Sequence, residues 1–297
     1  MKKMCFIMNP NAGMRKANKH LTEILAIFNR AGFEVSVYIT GKRGDAAWTA
    51  ETYGPQVDVL VCCGGDGTFN ETVSGLLKCG CNTPLGYIPA GSTNDFANSL
   101  HLSTDVLQAA RDITTGKAVE YDTGLFGQRY FTYVASFGVF TRASYATSQT
   151  VKNALGHTAY LLEGIQDIFQ IRTFPVRLEL DGEVVEDKFV FGAICNSTSI
   201  GGILTLDPKQ VAMQDGKFEV LLVRAPRDLS EITECVQAVK KQKYNCRMIT
   251  FRSASNIKIQ ADPNMFWTLD GEQEQGHAQV EVQNLNRAIR LLQREEL

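Results

Sequence analysis

The apolar residues of the first 120 positions follow two spacings, one typical of buried strands and the other typical of helices. Leu21, Ile24, Leu25 and Phe28 recur at helical spacing. A further helix is expected from about Phe69 to Lys78. The predicted strands are Met4–Met8, Phe33–Ile39, Val57–Cys63 and Pro84–Ile88. This alternation predicts an α/β region with a parallel sheet and helices on both of its faces.

The pattern changes near Tyr121, and apolar residues then recur at every second position. This alternation predicts strands that include Val176–Leu180, Ile257–Ile259 and Ala278–Val282. Asp181-Gly182 is a strong signal for a hairpin turn. Helical spacing returns twice, near 159–169 and near 229–241. We therefore predict a second domain that is mainly antiparallel β.

Length is consistent with two domains, since the chain has 297 residues. We place the first domain at residues 1–124 and the second at residues 125–283. The last stretch, 284–297, is short and partly apolar. We expect it to return and to complete the first domain.

Composition excludes several classes of protein. The formal charge of -2 gives no reason to expect nucleic acid as a partner. No apolar run approaches the roughly 20 residues of a membrane helix. The apolar start breaks at Asn9-Pro10, too early for a secretory signal. The eight cysteines form no CxxC pair, and the four histidines lack metal-ligand spacing. We expect a cytoplasmic protein with reduced thiols and no zinc.

Three loops with little side-chain bulk follow strands of the predicted parallel sheet. They are Asn9–Gly13, Gly64–Thr68 and Pro89–Asp95. Ligands of such sheets bind beyond the carboxyl ends of the strands, and two of the loops lead into predicted helix N-termini, where phosphate binds. One Gly-Gly-Asp-Gly segment alone could be an ordinary turn, but three such loops at one edge favour a nucleotide phosphate. Neither a P-loop nor a dinucleotide fingerprint is present.

The motifs of these loops resemble those of a known family. "NPNAG" at Asn9–Gly13, "GGDGTFNE" at Gly64–Glu71 and "PAGSTNDFA" at Pro89–Ala97 resemble the catalytic domain of diacylglycerol kinases, in particular the soluble bacterial lipid kinases. The resemblance continues through Gly201–Val220 and "WTLDGE" at Trp267–Glu272. The GGDGT element is shared with NAD kinases and phosphofructokinases, whereas the third loop is more specific to lipid kinases.

The resemblance implies ATP as phosphoryl donor, together with Mg²⁺. Asp66 and Asp95 would belong to an acidic network around magnesium. A second metal site would use the Asp215 carboxylate and the main-chain oxygens of Ala212 and Lys217; oxygen ligands suit Mg²⁺. The nucleotide would be held by Asn9, Pro10, Asn11, Ala12, Gly13, Thr40, Gly64, Gly65, Asp66, Gly67, Thr68, Phe69, Asn70 and Thr93.

The resemblance also places the general base in Asp270-Gly271-Glu272, on Glu272 with Asp270 close by. Asp-Gly occurs at Asp181, Asp215 and Asp270, and from spacing alone each is a hairpin turn. If the backbone at the third is extended, Asp270 and Glu272 project to one side. They would then be paired carboxylates able to take a proton from a hydroxyl.

Some residues depart from the family or have two readings. Ile203 stands where the family has a third glycine, and Tyr133 replaces a common asparagine. Both lie in the region expected to bind the acceptor, so the identity of the acceptor is open.

The basic segment Lys240–Arg247 is either a solvated helix end or a membrane contact. Arg15 and Lys16 either neutralise phosphate or lie at the surface.

From the resemblance we expect an ATP-dependent lipid kinase that converts diacylglycerol to phosphatidic acid. Alternatives are an NAD kinase, a sphingoid-base kinase, and a non-catalytic nucleotide- or lipid-binding regulator. The carboxylates of Asp66, Asp95, Asp215, Asp270 and Glu272 argue against the regulator. The expected partner is a lipid acceptor at a membrane surface, with peripheral membrane association and a homodimer as further possibilities.

Overall fold

The computed structural model describes residues 1–15, 17–139, 172–200, 204–244 and 246–294. The helix predicted near 159–169, Lys16 and the segment 201–203 lie outside the described residues. The described α-helices are α1 (Leu21–Arg30), α2 (Asp45–Tyr53), α3 (Asp66–Lys78), α4 (Asp95–Ser99), α5 (Val106–Thr115) and α6 (Leu229–Lys240). The strands are β1 (Lys2–Met8), β2 (Phe33–Ile39), β3 (Val59–Gly64), β4 (Leu85–Pro89), β5 (Lys117–Phe126), β6 (Arg129–Phe131), β7 (Val134–Gly138), β8 (Phe174–Leu180), β9 (Glu183–Cys195), β10 (Ser199–Ile200), β11 (Leu204–Thr205), β12 (Phe218–Arg224), β13 (Ile249–Ala254), β14 (Asn256–Ala261), β15 (Trp267–Leu269), β16 (Glu272–Glu274) and β17 (Gln279–Gln293).

The first lobe contains the predicted parallel sheet, in the strand order β4-β3-β1-β2. Strand β1 is buried on both faces because its side chains alternate. Cys5 and Ile7 pack in one cluster with α2 and α3, whereas Phe6 and Met8 pack in another with α1 and α5. The predicted α/β architecture with helices on both faces is confirmed.

Helix α2 was absent from the sequence-based prediction, and its composition explains why. Its core-facing positions are Ala46 and Ala50, both fully buried, while its largest apolar residue, Trp48, is 58% exposed. Alanines on the buried face give little contrast between apolar and polar positions. The periodicity of α2 is therefore weak, although the helix packs closely on α3.

The second lobe is antiparallel, as predicted. Strands β8 and β9 form the hairpin expected at Asp181-Gly182, where both residues have positive φ, 47° and 98°. The core of this lobe is aromatic: Trp267 lies 5.0 Å from Phe126 and 4.9 Å from Phe137 between ring centroids. Helix α6 confirms the helix predicted near 229–241.

Strand β17 joins the two lobes into one continuous sheet. Residues 279–283 of β17 pair with β14, and residues 282–293 pair with β5, both antiparallel. Near its end, Leu291 of β17 also pairs with Leu85 of β4, in parallel. The last stretch of the chain therefore does reach the first lobe. The domain limits at 124 and 283 stay predictions, because β5 and β17 run across them.

The helices of the described residues are all too short or too polar to cross a bilayer. All eight cysteines are free; Cys5, Cys62, Cys63 and Cys195 are buried and the other four are half-buried.

Candidate active site

The three glycine-containing loops of the first lobe meet at the carboxyl edge of the parallel sheet. The Asn9 side-chain amide donates to the Thr68 hydroxyl at 2.9 Å, joining the first loop to the second. The Ala90 amide donates to the Gly64 carbonyl at 2.8 Å, joining the third loop to the second. Thr40 lies beside them, with its amide 2.9 Å from the Met8 carbonyl. The loops thus form one connected surface.

Close contact between two loops explains a glycine that the sequence had linked to phosphate. A Cβ on Gly65 would lie 3.1 Å from the Cα of Gly91, and a Cβ on Gly91 would lie 2.6 Å from the Cα of Gly65. Backbone packs on backbone here, so neither position has room for a larger residue. Gly67 differs, because the nearest atom to its Cβ position is Glu272 Oε1 at 3.9 Å. Gly67 is therefore the glycine of this motif that borders the cleft between the lobes.

Several residues that the resemblance assigns to the nucleotide are already engaged within the protein. The Phe69 ring is fully buried and stacks on Tyr87 and Phe96, with centroid distances of 4.3 and 4.7 Å. The Asn70 amide donates to Asp270 Oδ2 at 2.7 Å and to the Tyr130 carbonyl at 3.1 Å. Thr93 is exposed, as is Asn11. Pro10, Ala12 and Gly13 are half-buried in the first loop.

Asp66 and Asp95 lie at the first residues of α3 and α4 and form a pair. The Phe96 amide donates to Asp66 Oδ1 at 3.4 Å, and Ser199 of the second lobe donates its hydroxyl to Asp95. Burial raises the pKa of Asp66 to about 6, and the neighbouring charge of Asp95 adds to the rise. Two carboxylates in this relation would be neutralised by a cation, so the pair fits the predicted acidic network.

Asp270 is a buried anchor for the second lobe. Its carboxylate accepts five hydrogen bonds, from the Asn70 amide, the Thr132 amide and hydroxyl, and the amides of Tyr133 and Val134, at 2.6–3.0 Å. The residue is 5% exposed, and burial raises its pKa although the main-chain donors oppose the rise. With so many donors, the Asp270 carboxylate fixes the turn rather than facing the cleft.

The turn that spacing alone predicts at Asp270-Gly271 is confirmed, and the extended backbone required for paired carboxylates is not present. Asp270 and Gly271 have φ of 49° and 79° and form the turn of the β15–β16 hairpin. The carboxylates of Asp270 and Glu272 therefore have different surroundings and are not a side-by-side pair. Their roles must differ as well.

Glu272 lies at the cleft and is 35% exposed. Its Oε2 accepts from Arg43 of the first lobe at 2.6 Å and from Arg129 at 2.5 Å. Arg129 also binds Glu274 Oε2 at 2.7 Å. The other carboxylate oxygen, Oε1, would be the nearest atom to a Cβ added at Gly67. Oε1 therefore lies against the first turn of α3. Glu272 thus borders the glycine loop, as a general base for this site would.

The predicted metal site around Asp215 contains one exposed carboxylate. Among the described residues, no three His, Cys, Asp or Glu side chains form a group able to hold a metal. A site built from one carboxylate, main-chain oxygens and water is compatible with that finding. Two buried oxygens nearby, Glu219 Oε2 and Asn284 Oδ1, have no hydrogen-bond partner within the described parts of the chain, and the Asn284 amide donates to the Lys217 carbonyl at 3.1 Å. Water bound to a cation would satisfy such oxygens, so these residues fit the predicted ion.

Asp122 ties the Asp215 loop to strand β17, and the sequence reasoning missed it. It is fully buried in β5, and its carboxylate accepts from the amides of Gly216 and Arg287, each at 2.7 Å. Burial raises its pKa, and the charge of Asp215 contributes. The sequence did contain a signal for Asp122, because an aspartate within an apolar strand segment indicates a buried carboxylate that needs hydrogen-bond donors. Arg43, Arg129 and Ser199 carried no such signal, because isolated polar residues in loops and short strands are common.

Comparison with known proteins covers almost the whole chain. The model of the diacylglycerol kinase catalytic domain matches residues 3–126, and that of the YegS C-terminal NAD kinase beta sandwich-like domain matches residues 133–293. A diacylglycerol kinase of Bacillus subtilis (strain 168) is 32% identical over 274 residues, which cover 92% of this chain and 90% of that protein. A diacylglycerol kinase of Staphylococcus carnosus (strain TM300) is 32% identical over 91% of this chain and 89% of its own length.

Solved structures show the same fold. The crystal structure of a proposed diacylglycerol kinase from Bacillus anthracis str. Sterne superposes with a TM-score of 0.79 at 25% identity, covering 98% of this chain and 95% of that one. The arrangement of a parallel first lobe and an antiparallel second lobe is therefore that of a known group of proteins.

Proposed function

This chain belongs to the diacylglycerol kinase family, whose members are lipid kinases, and from that premise we propose that it transfers the terminal phosphoryl group of ATP to the hydroxyl of diacylglycerol. The product would be phosphatidic acid. The observation that carries the proposal is the position of Glu272, a carboxylate of the second lobe placed against Gly67 of the glycine loop in the first. Such a placement would bring a proton acceptor to the edge of the surface that we propose for phosphate.

The nucleotide would lie on the three connected loops. Main-chain amides near Gly67 and the positive end of α3 suit phosphate oxygens. Thr40, Asn9 and Thr68 surround the same edge of the sheet, and Thr93 stands exposed beside it. In this proposal Phe69 and Asn70 act by supporting the loop and Asp270, since their side chains are engaged within the protein.

Glu272 would accept the proton of the acceptor hydroxyl while the hydroxyl oxygen attacks the terminal phosphorus and ADP departs. Phosphoryl transfer depends mainly on alignment and on neutralising charge. Asp270 would act as a positioning residue, because its five hydrogen bonds hold the hairpin that carries Glu272. Bound Mg²⁺ would supply neutralisation of phosphate charge, with Asp66 and Asp95 holding it near the loops.

The second ion would bind at Asp215 with the carbonyls of Ala212 and Lys217. The support is that Glu219 and Asn284, beside that loop, each have a buried oxygen with no hydrogen-bond partner among the residues that the structure describes. Because Asp122 contacts Gly216 of this loop and Arg287 of β17, an ion here would brace the second lobe against the strand that joins the lobes.

Contact with a membrane surface would bring the acceptor to the cleft. Lys241 and Lys243 follow α6 and are exposed, so anionic headgroups could bind them, whereas the exposed Arg247 already pairs with Glu234 at 3.2 Å. Peripheral membrane association and a homodimer remain predictions of the sequence.

The test is the identity of the phosphorylated product. Purified protein is incubated with Mg²⁺, ATP labelled in the terminal phosphate, and in turn diacylglycerol, a sphingoid base and NAD. Labelled phosphatidic acid as the main product is expected. If labelled sphingoid phosphate or labelled NADP is the main product instead, the acceptor is a sphingoid base or NAD and not diacylglycerol. Binding of ATP without any labelled product would indicate a non-catalytic regulator and contradict the proposal.

A further inference from the structure

Two arginines hold the same oxygen of Glu272, and they approach it from different lobes. Arg43 belongs to the loop between β2 and α2 in the first lobe, and Arg129 belongs to β6. Both donate to Glu272 Oε2, at 2.6 and 2.5 Å. The two guanidinium groups therefore occupy both lone pairs of this oxygen. At least one arginine must change its partner before Oε2 can receive a proton from an acceptor hydroxyl.

Arg129 is suited to a fixed role. It is 27% exposed and its guanidinium also binds Glu274 and the Gln273 carbonyl, so it contacts three successive residues of β16. This arrangement keeps the short strand that carries Glu272 in place. Arg129 would lose several bonds by leaving, and it is a positioning residue.

Arg43 is suited to move. Its side chain is 69% exposed, and its bond to Glu272 spans 229 positions of sequence and crosses the cleft. Its backbone is nevertheless fixed. Asp45 accepts hydrogen bonds from the amides of Gly41 and Lys42 at 2.7 and 2.8 Å, and the Gly44 amide donates to Glu71 of α3 at 2.9 Å. An anchored backbone with an exposed guanidinium allows the side chain alone to reorient.

The surroundings of Arg43 favour phosphate as its second partner. Its loop follows Thr40 at the same edge of the sheet as the glycine loops, and Glu272 borders Gly67. The carboxylates of Asp66, Asp95 and Glu272 lie around this edge, so a cationic side chain would add to the neutralisation that the proposed Mg²⁺ gives bound phosphate. A guanidinium offers a planar pair of donors that matches phosphate oxygens.

We propose that Arg43 exchanges Glu272 for the terminal phosphates of the nucleotide, and that this exchange frees Glu272 as the base while Arg129 keeps it in position. The inference rests on the proposed function, because it assumes that ATP binds on the glycine loops. It assigns to Arg43 a direct contact with the reacting phosphate. The triphosphate itself would thereby switch on its base.

The test compares the affinities of ATP and AMP, each titrated calorimetrically with Mg²⁺ and without lipid. AMP has the adenosine but lacks the terminal phosphates. Arg43→Gln should lower the affinity for ATP by about tenfold or more, the usual effect of losing a charge-assisted hydrogen bond, and leave AMP unchanged. Arg43→Lys should restore part of the loss. Arg252→Gln is the matched control, since Arg252 is an exposed arginine paired with Glu183 at 3.3 Å.

Glu272→Gln gives the sharper comparison. Without the competing carboxylate, Arg43 is free for phosphate, so ATP affinity should rise by up to about fivefold, the strength of an exposed ion pair. The rise should vanish in the Arg43→Gln/Glu272→Gln double variant. Unchanged ATP affinity in Arg43→Gln, or an equal loss for ATP and AMP, would overturn the exchange while leaving the kinase function standing. Failure of the wild-type protein to bind ATP would overturn both.

Discussion

At the scale of single residues, two carboxylates separated by one glycine have different environments. Asp270 is buried and accepts five hydrogen bonds, whereas Glu272 lies at the cleft between two arginines. The family resemblance named both as candidates for the base. Their hydrogen bonds make Asp270 a structural anchor and leave Glu272 as the proposed proton acceptor, and this difference can be measured.

Asp270→Asn should destabilise the protein by roughly 2 kcal/mol or more, because an amide group would face donors in a buried network. Glu272→Gln should change stability by less than about 1 kcal/mol, since it replaces one partner of exposed ion pairs. Urea unfolding of the two variants gives both values. Equal and small effects would show that the five bonds of Asp270 do not hold the hairpin.

Neutralising Asp66 should raise the stability of the protein while it lowers activity. Its folded-state pKa of about 6 lies above its ordinary value of 3.8, so the folded protein binds more protons than the unfolded chain between these values. The contribution of Asp66 to the free energy of unfolding is fully present below pH 3.8, and it is lost as the pH rises through about 6. Asp66→Asn should therefore raise the Tm by a few degrees at pH 8 and by less at pH 5, while activity falls.

The Tm difference at the two pH values is the measurement, made by thermal unfolding without Mg²⁺. Because the cost of ionisation comes from burial and from Asp95, Asn removes it only where Asp66 is charged. An increase in Tm that is the same at pH 5 and pH 8 would mean that burial and Asp95 do not disfavour the ionised form of Asp66.

At the scale of elements, the glycine loop combines two requirements. Gly65 lets the second loop meet the third at Gly91, and Gly67 borders the cleft. Gly67→Ala should keep or slightly raise the Tm, because alanine favours the first turn of α3 and its methyl has room. ATP affinity should fall nonetheless if phosphate approaches that backbone. Gly65→Ala, by contrast, should lower both quantities.

Calorimetric ATP titration together with thermal unfolding separates these outcomes. Gly182→Ala in the β8–β9 hairpin serves as a control: nothing lies within 4 Å of its Cβ position, and its φ of 98° should lower the Tm while ATP affinity stays unchanged. Normal ATP affinity in Gly67→Ala protein would mean that phosphate does not approach the glycine loop at this point.

The elements that the sequence predicted well are those with strong periodicity or a definite turn signal. Strand β2 has the predicted limits, and the Asp181-Gly182 hairpin forms as expected. Helix α2 was missed because alanines form its buried face. The Asp-Gly signal also predicted the turn at Asp270, and this turn is why Asp270 and Glu272 are not the pair that an extended backbone would give. The arginine contacts of Glu272 join residues far apart in sequence, which local patterns do not report.

The predicted ion at Asp215 is also tested at the level of its loop. Mg²⁺ should raise the Tm of the wild-type protein, because an ion that binds the folded state stabilises it. Asp215→Ala should reduce this rise and increase the Mg²⁺ needed for activity. Asp181→Asn is the matched control, since Asp181 also begins an Asp-Gly pair but accepts hydrogen bonds from Ser255 and Asn256. The same Mg²⁺ response in both variants would place the ion elsewhere.

At the scale of the whole molecule, the lobes are joined by strand β17 and by polar contacts across the cleft. Ser199 bonds to Asp95, and Glu272 to Arg43, so each of these contacts links the second lobe to the first. Because one sheet continues through both lobes, the cleft is held by main-chain pairing as well as by side chains. The proposed chemistry requires this relation, since the nucleotide loops and the base come from different lobes.

The most direct measurement is a single turnover of diacylglycerol phosphorylation by wild-type and Glu272→Gln protein, each saturated with labelled ATP. General base catalysis contributes roughly a hundredfold or more, so the variant should form labelled phosphatidic acid at least about a hundredfold more slowly. It should still bind ATP at least as tightly as the wild type. Equal rates of product formation at equal ATP occupancy would contradict the assignment of Glu272 as the base.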